Sequence, residues 1–147
     1  MTTAVTPTFP IAFGAYEEAI RSITLCADST LAEYTGAPGL PGSPKPHTGK
    51  QYRFVKITGP HQVGLATAGE DVVGVLQNKP QVDGEAATVT IRGVVIVRAG
   101  GAIAAGDLVT TDANGLAVKT TDVTKKVGRA VSNVAGVDRL VSVLLTL

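Results

Sequence analysis

From residue 51 onward the sequence is a series of short apolar segments separated by turn residues, and this pattern restricts the fold more than any other feature. Within segment 86–92 the odd-numbered residues are apolar and, from Thr88 onward, the even-numbered ones are polar, the period of a half-buried strand. Strands this short, recurring about every ten residues, are typical of a barrel or a sandwich and not of a parallel α/β sheet. The predicted strands cover residues 51–58, 72–77, 86–92, 94–98, 107–111, 116–119, 127–132 and 140–146.

Residues that favour turns separate these segments. Asn114-Gly115 can adopt the positive φ angles of a tight hairpin, so a hairpin is predicted between segments 107–111 and 116–119. Gly74 and Gly128 interrupt apolar segments, where glycine often marks a bulge or a corner. No glycine run precedes a Lys-Ser/Thr pair at the start of a helix, so a phosphate-binding loop is not indicated.

The first fifty residues have a different composition, because six of the eight prolines lie before residue 47. We predict an N-terminal arm and Pro/Gly-rich loop over residues 1–50 and a β-barrel domain over 51–147. Segments 15–22 and 27–34 could form short helices, the second with Asp28 or Ser29 as its N-cap. The fold class expected is all-β: a small antiparallel β-barrel or β-tulip, sandwich-like, with an extended arm and at most short helices.

Four of the six aromatic residues lie in this arm, although it has little predicted secondary structure. Such side chains need a surface against which to be buried, and aromatic residues are frequent interface anchors. That surface can be the chain's own barrel or a neighbouring subunit, and both alternatives stay open. We therefore take as candidate interface residues Phe9, Phe13, Tyr16 and Tyr34.

Composition excludes several classes of partner. The net charge is +1 and only 17% of residues are charged, which argues against a nucleic-acid-binding protein with a basic stripe. Lys125-Lys126 is the only basic pair, and we expect it in a solvated turn between strands.

No apolar run approaches the roughly 18 residues of a membrane span. The first residues lack a basic n-region and contain two prolines, so we expect no signal peptide. The single Cys26 fits synthesis in a reducing cytosol.

Residues that could carry out catalysis or bind a metal are few. Cysteine and histidine together number three, too few for a typical zinc site. Glu70-Asp71 and the Asp83/Glu85 pair could serve acid–base chemistry or bind calcium, but they flank turns, where carboxylates commonly form local hydrogen bonds. We therefore expect no enzyme, no cofactor and no metal, and a binding or structural role.

Five sequence pieces follow one another in a fixed order: a "GVL-N-P" run, a "GE-A-V" strand, a "G--I--GD-V-TD--G-AV" hairpin, a "GRA" strand and a closing Val/Leu strand, at residues 74–80, 84–93, 101–118, 127–131 and 140–145. This order resembles that of the capsid decoration (cement) proteins of tailed bacteriophages. The resemblance covers about residues 51–147, with a possible extension to 25–31, while the Pro/Gly-rich stretch at 35–50 looks like an insertion.

This resemblance implies a β-barrel head with an arm that binds the outside of an expanded capsid. Such proteins are often trimers that clamp neighbouring capsomers against internal DNA pressure. The implied partners are the major capsid protein and further copies of the chain as a homotrimer, with no direct nucleic-acid contact and no membrane. The implied location is the capsid exterior, after synthesis in the host cytoplasm.

Three alternatives remain. The chain could be another virion component, in a tail or at a fibre attachment. It could be a small β-barrel carrier or co-chaperonin subunit, although Lys79 is followed by Pro80 and lacks the context of a carrier lysine. It could also be an enzyme or a sugar-binding module with its site at the barrel mouth, which would predict an aromatic or acidic cluster there, yet residues 51–147 hold only two aromatic residues.

Overall fold

The computed structural model describes residues 21–32, 49–69 and 71–147 of the 147-residue chain. This part contains no helix and is built from β-strands, so the predicted all-β fold is confirmed. The nine strands are β1 (Arg21–Ala27), β2 (Phe54–Gly59), β3 (Gln62–Leu65), β4 (Gly74–Leu76), β5 (Ala86–Arg98), β6 (Leu108–Thr111), β7 (Ala117–Lys119), β8 (Gly128–Ala130) and β9 (Leu140–Leu145).

Five strands close into a small barrel in the order β1-β3-β2-β4-β5, because β1 also pairs with β5. Ile23 of β1 lies opposite Val89 of β5, and Val75 of β4 lies opposite Thr90. All of these pairs are antiparallel except β1–β3. Strand β1 therefore belongs to the barrel, although it precedes the predicted domain boundary at residue 50, which stays a prediction.

Strand β5 extends beyond the barrel and begins a second sheet, in the order β5-β9-β8-β6-β7. Arg92 is paired with Arg21 in the barrel, and the next residue, Gly93, is paired with Leu145 of β9. Gly93 has a φ of 98°, which residues with a side chain rarely adopt. The separate strands predicted at 86–92 and 94–98 are thus one strand, and Gly93 is where it changes sheets.

The short helix predicted over residues 27–34 is wrong for its described part, residues 27–32. Ala27 ends strand β1, and a turn follows in which the Asp28 carboxylate accepts hydrogen bonds from the Thr30 backbone N–H at 2.8 Å and the Thr30 hydroxyl at 2.5 Å. The same polar residues that can cap a helix here form a local turn. The other predicted helix, 15–22, lies outside the described residues except for Arg21 and Ser22, which are in β1.

Tight turns connect the strands of two antiparallel pairs, β2–β3 and β6–β7. The hairpin predicted at Asn114-Gly115 is confirmed: β6 and β7 pair across it, and Gly115 has a φ of 73°. The Asp112 carboxylate holds this turn by accepting from the backbone N–H groups of Asn114 at 2.8 Å and Leu116 at 2.9 Å. The β2–β3 hairpin was not predicted, and its turn contains His61 with a φ of 55°.

Buried side chains form two hydrophobic clusters. One lies between the barrel and the second sheet and includes Phe54, Val97 and Val143. The other fills the barrel beside β1 and includes Val55, Val63 and Val89. Adjacent residues of β2, Phe54 and Val55, belong to different clusters because successive side chains of a strand point to opposite faces. Strand β2 therefore links the two halves of the fold.

Of the two features considered for Gly74 and Gly128, a bulge or a corner, the bulge is absent. Both glycines lie in regular strand pairs, and the register irregularities occur instead at Arg21/Ser22 and between Ile57 and Gly59. A Cβ at either glycine would collide with the backbone oxygen of a neighbouring strand. Glycine is needed at these two positions because the strands approach each other closely.

Candidate interaction surface

Five aliphatic side chains on the outer face of the second sheet are exposed to between 41% and 49% of their surface. They lie on adjacent strands: two on β5, two on β9 and one directly after β8. We call this surface the outer apolar patch, and it consists of Val94, Ile96, Leu140, Leu144 and Val131.

The strand register brings these side chains together. Val94 lies opposite Leu144, and Ile96 lies opposite Ser142. The Val131 backbone N–H donates to the Ser142 carbonyl at 2.8 Å, which places Val131 beside β9. The patch is thus one continuous feature of three neighbouring strands, and not a set of scattered exposed residues.

In the second sheet, residues 94–97 of β5 are apolar on both faces, and β9 is apolar except for Ser142, which is unusual for a sheet with one face in water. Their inward residues, such as Val97 and Val143, are fully buried in the core. An antiparallel sheet with a solvated face normally carries polar residues on that face. Contiguous exposed apolar surface on a soluble protein commonly marks a contact site. We therefore take the outer apolar patch as the candidate interaction surface.

Exposed arginines lie beside the patch, and one exposed carboxylate, Asp138, precedes Leu140 by two residues. Arg92 of β5 and Arg129 of β8 are exposed, and Arg21 of β1 is the register partner of Arg92. The Arg129 guanidinium donates to the Gly106 carbonyl at 2.7 Å, which fixes its position. Strands β5, β8 and β9, all within the described residues, contain no carboxylate. The surface is therefore apolar and cationic, and a partner with apolar and acidic groups would complement it.

The candidate interface residues proposed from the sequence, Phe9, Phe13, Tyr16 and Tyr34, lie outside the described residues. For the residues of the patch, the sequence pattern predicts only that they lie in or beside strands. A signal for them does exist in the sequence, since residues 94–97 and 143–145 are apolar at odd and even positions alike. Such runs are typical of strands that are covered on both faces.

The residues considered for catalysis or metal binding are not brought together. Cys26 is exposed, and His61 is an exposed turn residue. Glu85 accepts a hydrogen bond from the Gln81 backbone N–H at 2.6 Å, a local turn contact. Among the described residues, no group of three His, Cys, Asp or Glu side chains could hold a metal ion. His47 and Glu70 lie outside the described residues.

The basic pair Lys125-Lys126 lies in the turn between β7 and β8, as predicted. It lines an open cleft of about 250 Å³ together with Asp71 and Leu147. The Lys126 ammonium donates to the Thr146 hydroxyl at 3.2 Å. Both lysines are exposed, and Asp71 lies in the same cleft, as expected for a solvated turn. In the part of the chain that the structure describes, no helix is long and apolar enough to cross a membrane.

Asp107, just before β6, gives a testable pH dependence. Its carboxylate accepts from the Ala104 backbone N–H at 2.9 Å and lies 3.3 Å from the Lys119 ammonium. The hydrogen bond from Ala104, and then Lys119, lower the pKa of Asp107. A lowered pKa in the folded state stabilises the fold above the ordinary aspartate value of about 3.9, and this stabilisation is lost as the pH falls below it.

We expect Asp107→Asn to make the loss of stability at acid pH shallower than in the unmodified protein. The measurement is the free energy of unfolding by urea at several pH values between about 2.5 and 6. Asp83→Asn, a matched change at an exposed turn, controls for the loss of one negative charge. Identical pH profiles for Asp107→Asn and the unmodified protein would contradict the prediction.

Comparison with known proteins finds a matching family model and similar solved structures. The family model described as phage cement protein matches residues 48–145. Among solved structures, the N base of head fibre gp8.5 from bacteriophage phi29 has a TM-score of 0.61 and 23% sequence identity, covering 86% of this chain and 94% of that chain. At this identity the structural likeness shows a shared fold. No curated protein sequence matches the chain.

Proposed function

Because this chain belongs to the phage cement protein family, we propose that it binds the outer surface of the expanded phage capsid and clamps neighbouring capsomers. The family membership confirms the resemblance inferred from the sequence. It makes the chain a structural protein of a phage virion. The observation that carries the proposal is the match over residues 48–145, which covers eight of the nine strands.

The proposed mechanism is physical and involves no chemical step. A shell under internal pressure fails where capsomers separate. A protein that bridges this boundary buries surface only while the shell is closed, so it stabilises the closed state. Each 100 Å² of buried apolar surface contributes about 2.5 kcal/mol before the costs of association. Attachment at more than one point raises the effective affinity further.

The partners that we propose are the major capsid protein and further copies of this chain, as a homotrimer. The proposed location is the exterior of the virion capsid, after synthesis in the host cytoplasm. Closed symmetric oligomers are the common state of such assemblies, and a trimer suits a local threefold position of a shell. We keep the four aromatic residues of the arm as proposed anchors, and we propose neither catalysis nor direct binding to nucleic acid.

Co-sedimentation with phage heads tests this function. The purified protein is mixed with expanded empty heads and, in parallel, with unexpanded procapsids of the same phage. Saturable binding to expanded heads, with weaker or no binding to procapsids, is the expected result. Absence of binding to both shells would refute capsid decoration. Heads already saturated with unlabelled protein serve as the control for specific sites.

A second candidate function is the base of a head fibre, which the likeness to the phi29 head-fibre base favours. Both functions include attachment to the capsid, so co-sedimentation alone does not separate them. The distinguishing experiment is to isolate this protein from detergent-treated virions and identify what remains bound to it. A second elongated virion protein in stoichiometric amount would favour the fibre base, and recovery with capsid protein alone would favour the clamp.

A further inference from the structure

We propose that residues 1–20 pack against the outer apolar patch of their own chain. The inference concerns the free protein and does not depend on the capsid-binding function. It assigns an occupant to the patch, namely the segment that leads into strand β1. Three observations support it: the place at which this segment enters the fold, its length, and the chemistry of its residues.

The path of the chain before Arg21 is restricted by strand β9. Arg21 pairs with Arg92, so a continued β1 would next lie beside Gly93. That place in the sheet is taken, because Gly93 is paired with Leu145 of β9. Strand β1 therefore cannot continue along β5 beyond Arg21. One side of the sheet is the core, where Val95 and Val97 are buried, and the other side carries the patch.

The segment is long enough to cover the patch without a linker. On β5 the patch begins two residues from Arg92, at Val94, and ends at Ile96, a distance of about 7 Å at the usual rise of a strand. Twenty extended residues span up to about 66 Å. Because the segment is joined directly to the edge of the patch, its effective concentration there is high. This segment is thus favoured over a separate molecule as the occupant of the patch.

The residue types of the segment complement the patch in the order in which they leave Arg21. The first charged residues before Arg21 are Glu18 and Glu17, three and four residues away, and the arginines available to pair with them are the exposed Arg92 and Arg129. Beyond them lie the aromatic residues of the segment, which can pack on the aliphatic side chains of β5 and β9. Residues 1–20 contain no lysine or arginine. The segment is therefore apolar and acidic, while the surface is apolar and cationic.

A second copy of the patch is a poorer occupant. Two patches placed face to face would bring arginines from both copies together, and strands β5, β8 and β9 offer no carboxylate to pair with them. Like charges brought together at an interface oppose association. Packing of residues 1–20 would cover the aliphatic side chains of the patch. It would also bring two carboxylates to the arginines beside the patch.

Photo-crosslinking in the full-length protein tests this directly. Phe13 is replaced by p-benzoylphenylalanine, the protein is irradiated, and the crosslinked peptides are mapped by mass spectrometry. A mixture of isotopically light and heavy protein distinguishes links within a chain from links between chains. We expect links within one chain to residues 94–97 or 140–144. Links predominantly to other parts of the chain, or predominantly between light and heavy copies, would overturn the proposal.

A second measurement uses substitutions in the patch. Chymotrypsin cleaves after Phe13 and Tyr16, whereas the bond after Phe9 is protected by Pro10. In the double variant Ile96→Ser/Leu144→Ser the initial rate of cleavage at these two sites should rise about tenfold, because the segment is released more often. The matched control is Ile57→Ser, since Ile57 is exposed to a similar extent on β2. Equal rates in the two variants would contradict the proposal.

These experiments remain decisive in two unfavourable cases. If the double variant loses its β-sheet circular dichroism, the crosslinks of the Phe13 derivative alone decide the matter, because that protein keeps the patch intact. If the protein fails to bind phage heads, the proposed function fails while the arm contact still stands or falls by its own crosslinks.

Discussion

Replacing Phe54 by alanine should lower the free energy of unfolding by about 3–5 kcal/mol. Phe54 is one of the largest fully buried side chains among the described residues, and it packs in the cluster between the barrel and the second sheet. Its removal leaves a cavity that the surrounding strands fill poorly. The Phe54 backbone N–H donates to Gly115 at 2.8 Å, and its carbonyl accepts from Ala66 at 3.0 Å, so β2 is held in place on both sides.

Ile57→Ala on the same strand is the matched control. Its side chain is 55% exposed, so its removal should change stability by no more than about 0.5 kcal/mol. The measurement is equilibrium unfolding in urea for both variants, with the slope against denaturant compared to confirm that the unfolding transition is unchanged. Similar losses for Phe54→Ala and Ile57→Ala would show that the space between the sheets is not a tightly packed core.

The β-strands of the second half of the chain could be predicted because local pattern and tertiary environment agree. In 86–92 the residues that alternate in the sequence also alternate in burial up to Val89. In 112–115 the turn depends on a short-range contact of Asp112 and on the conformation of Gly115. Both are decided within a few residues, so they can be inferred from the sequence.

Strands β1 and β3 could not be predicted, because each depends on partners far along the chain. Ser22 is hydrogen-bonded through its hydroxyl to Thr90 at 3.0 Å, a contact across 68 residues. The segment 27–34 has the local composition of a helix start, but β1 and its turn are held between β3 and β5. In such short segments tertiary pairing overrides local propensity.

The candidate surface was only partly accessible to sequence reasoning. The aromatic residues of the arm attract notice by their type, whereas the patch consists of ordinary valine, isoleucine and leucine in predicted strands. Only the register shows that Val94 and Leu144 lie side by side on the outer face. Register depends on long-range pairing, and a shift of one residue would bury these side chains and expose their neighbours.

A methyl group added at Gly128 should be the second strongly destabilising change, costing about 2–3 kcal/mol. Gly128 lies in β8 opposite Leu145 of β9 and Val109 of β6. A Cβ there would lie 2.5 Å from the Leu144 carbonyl oxygen and 2.7 Å from a methyl group of Val143. The first of these atoms belongs to the backbone, so it cannot move aside by changing a rotamer. The strands themselves must separate.

Gly101→Ala separates this steric effect from the general effect of replacing a glycine. No atom lies within 4 Å of the position a Cβ would take at Gly101, so we expect a change within about 0.5 kcal/mol. Urea unfolding of both variants gives the comparison.

Because β9 carries Leu140 and Leu144, displacement of β9 in Gly128→Ala should also disturb the outer apolar patch. Faster chymotrypsin cleavage after Phe13 in Gly128→Ala than in Gly101→Ala is therefore expected, and equal stability of these two variants would contradict the close approach of β8 to β9.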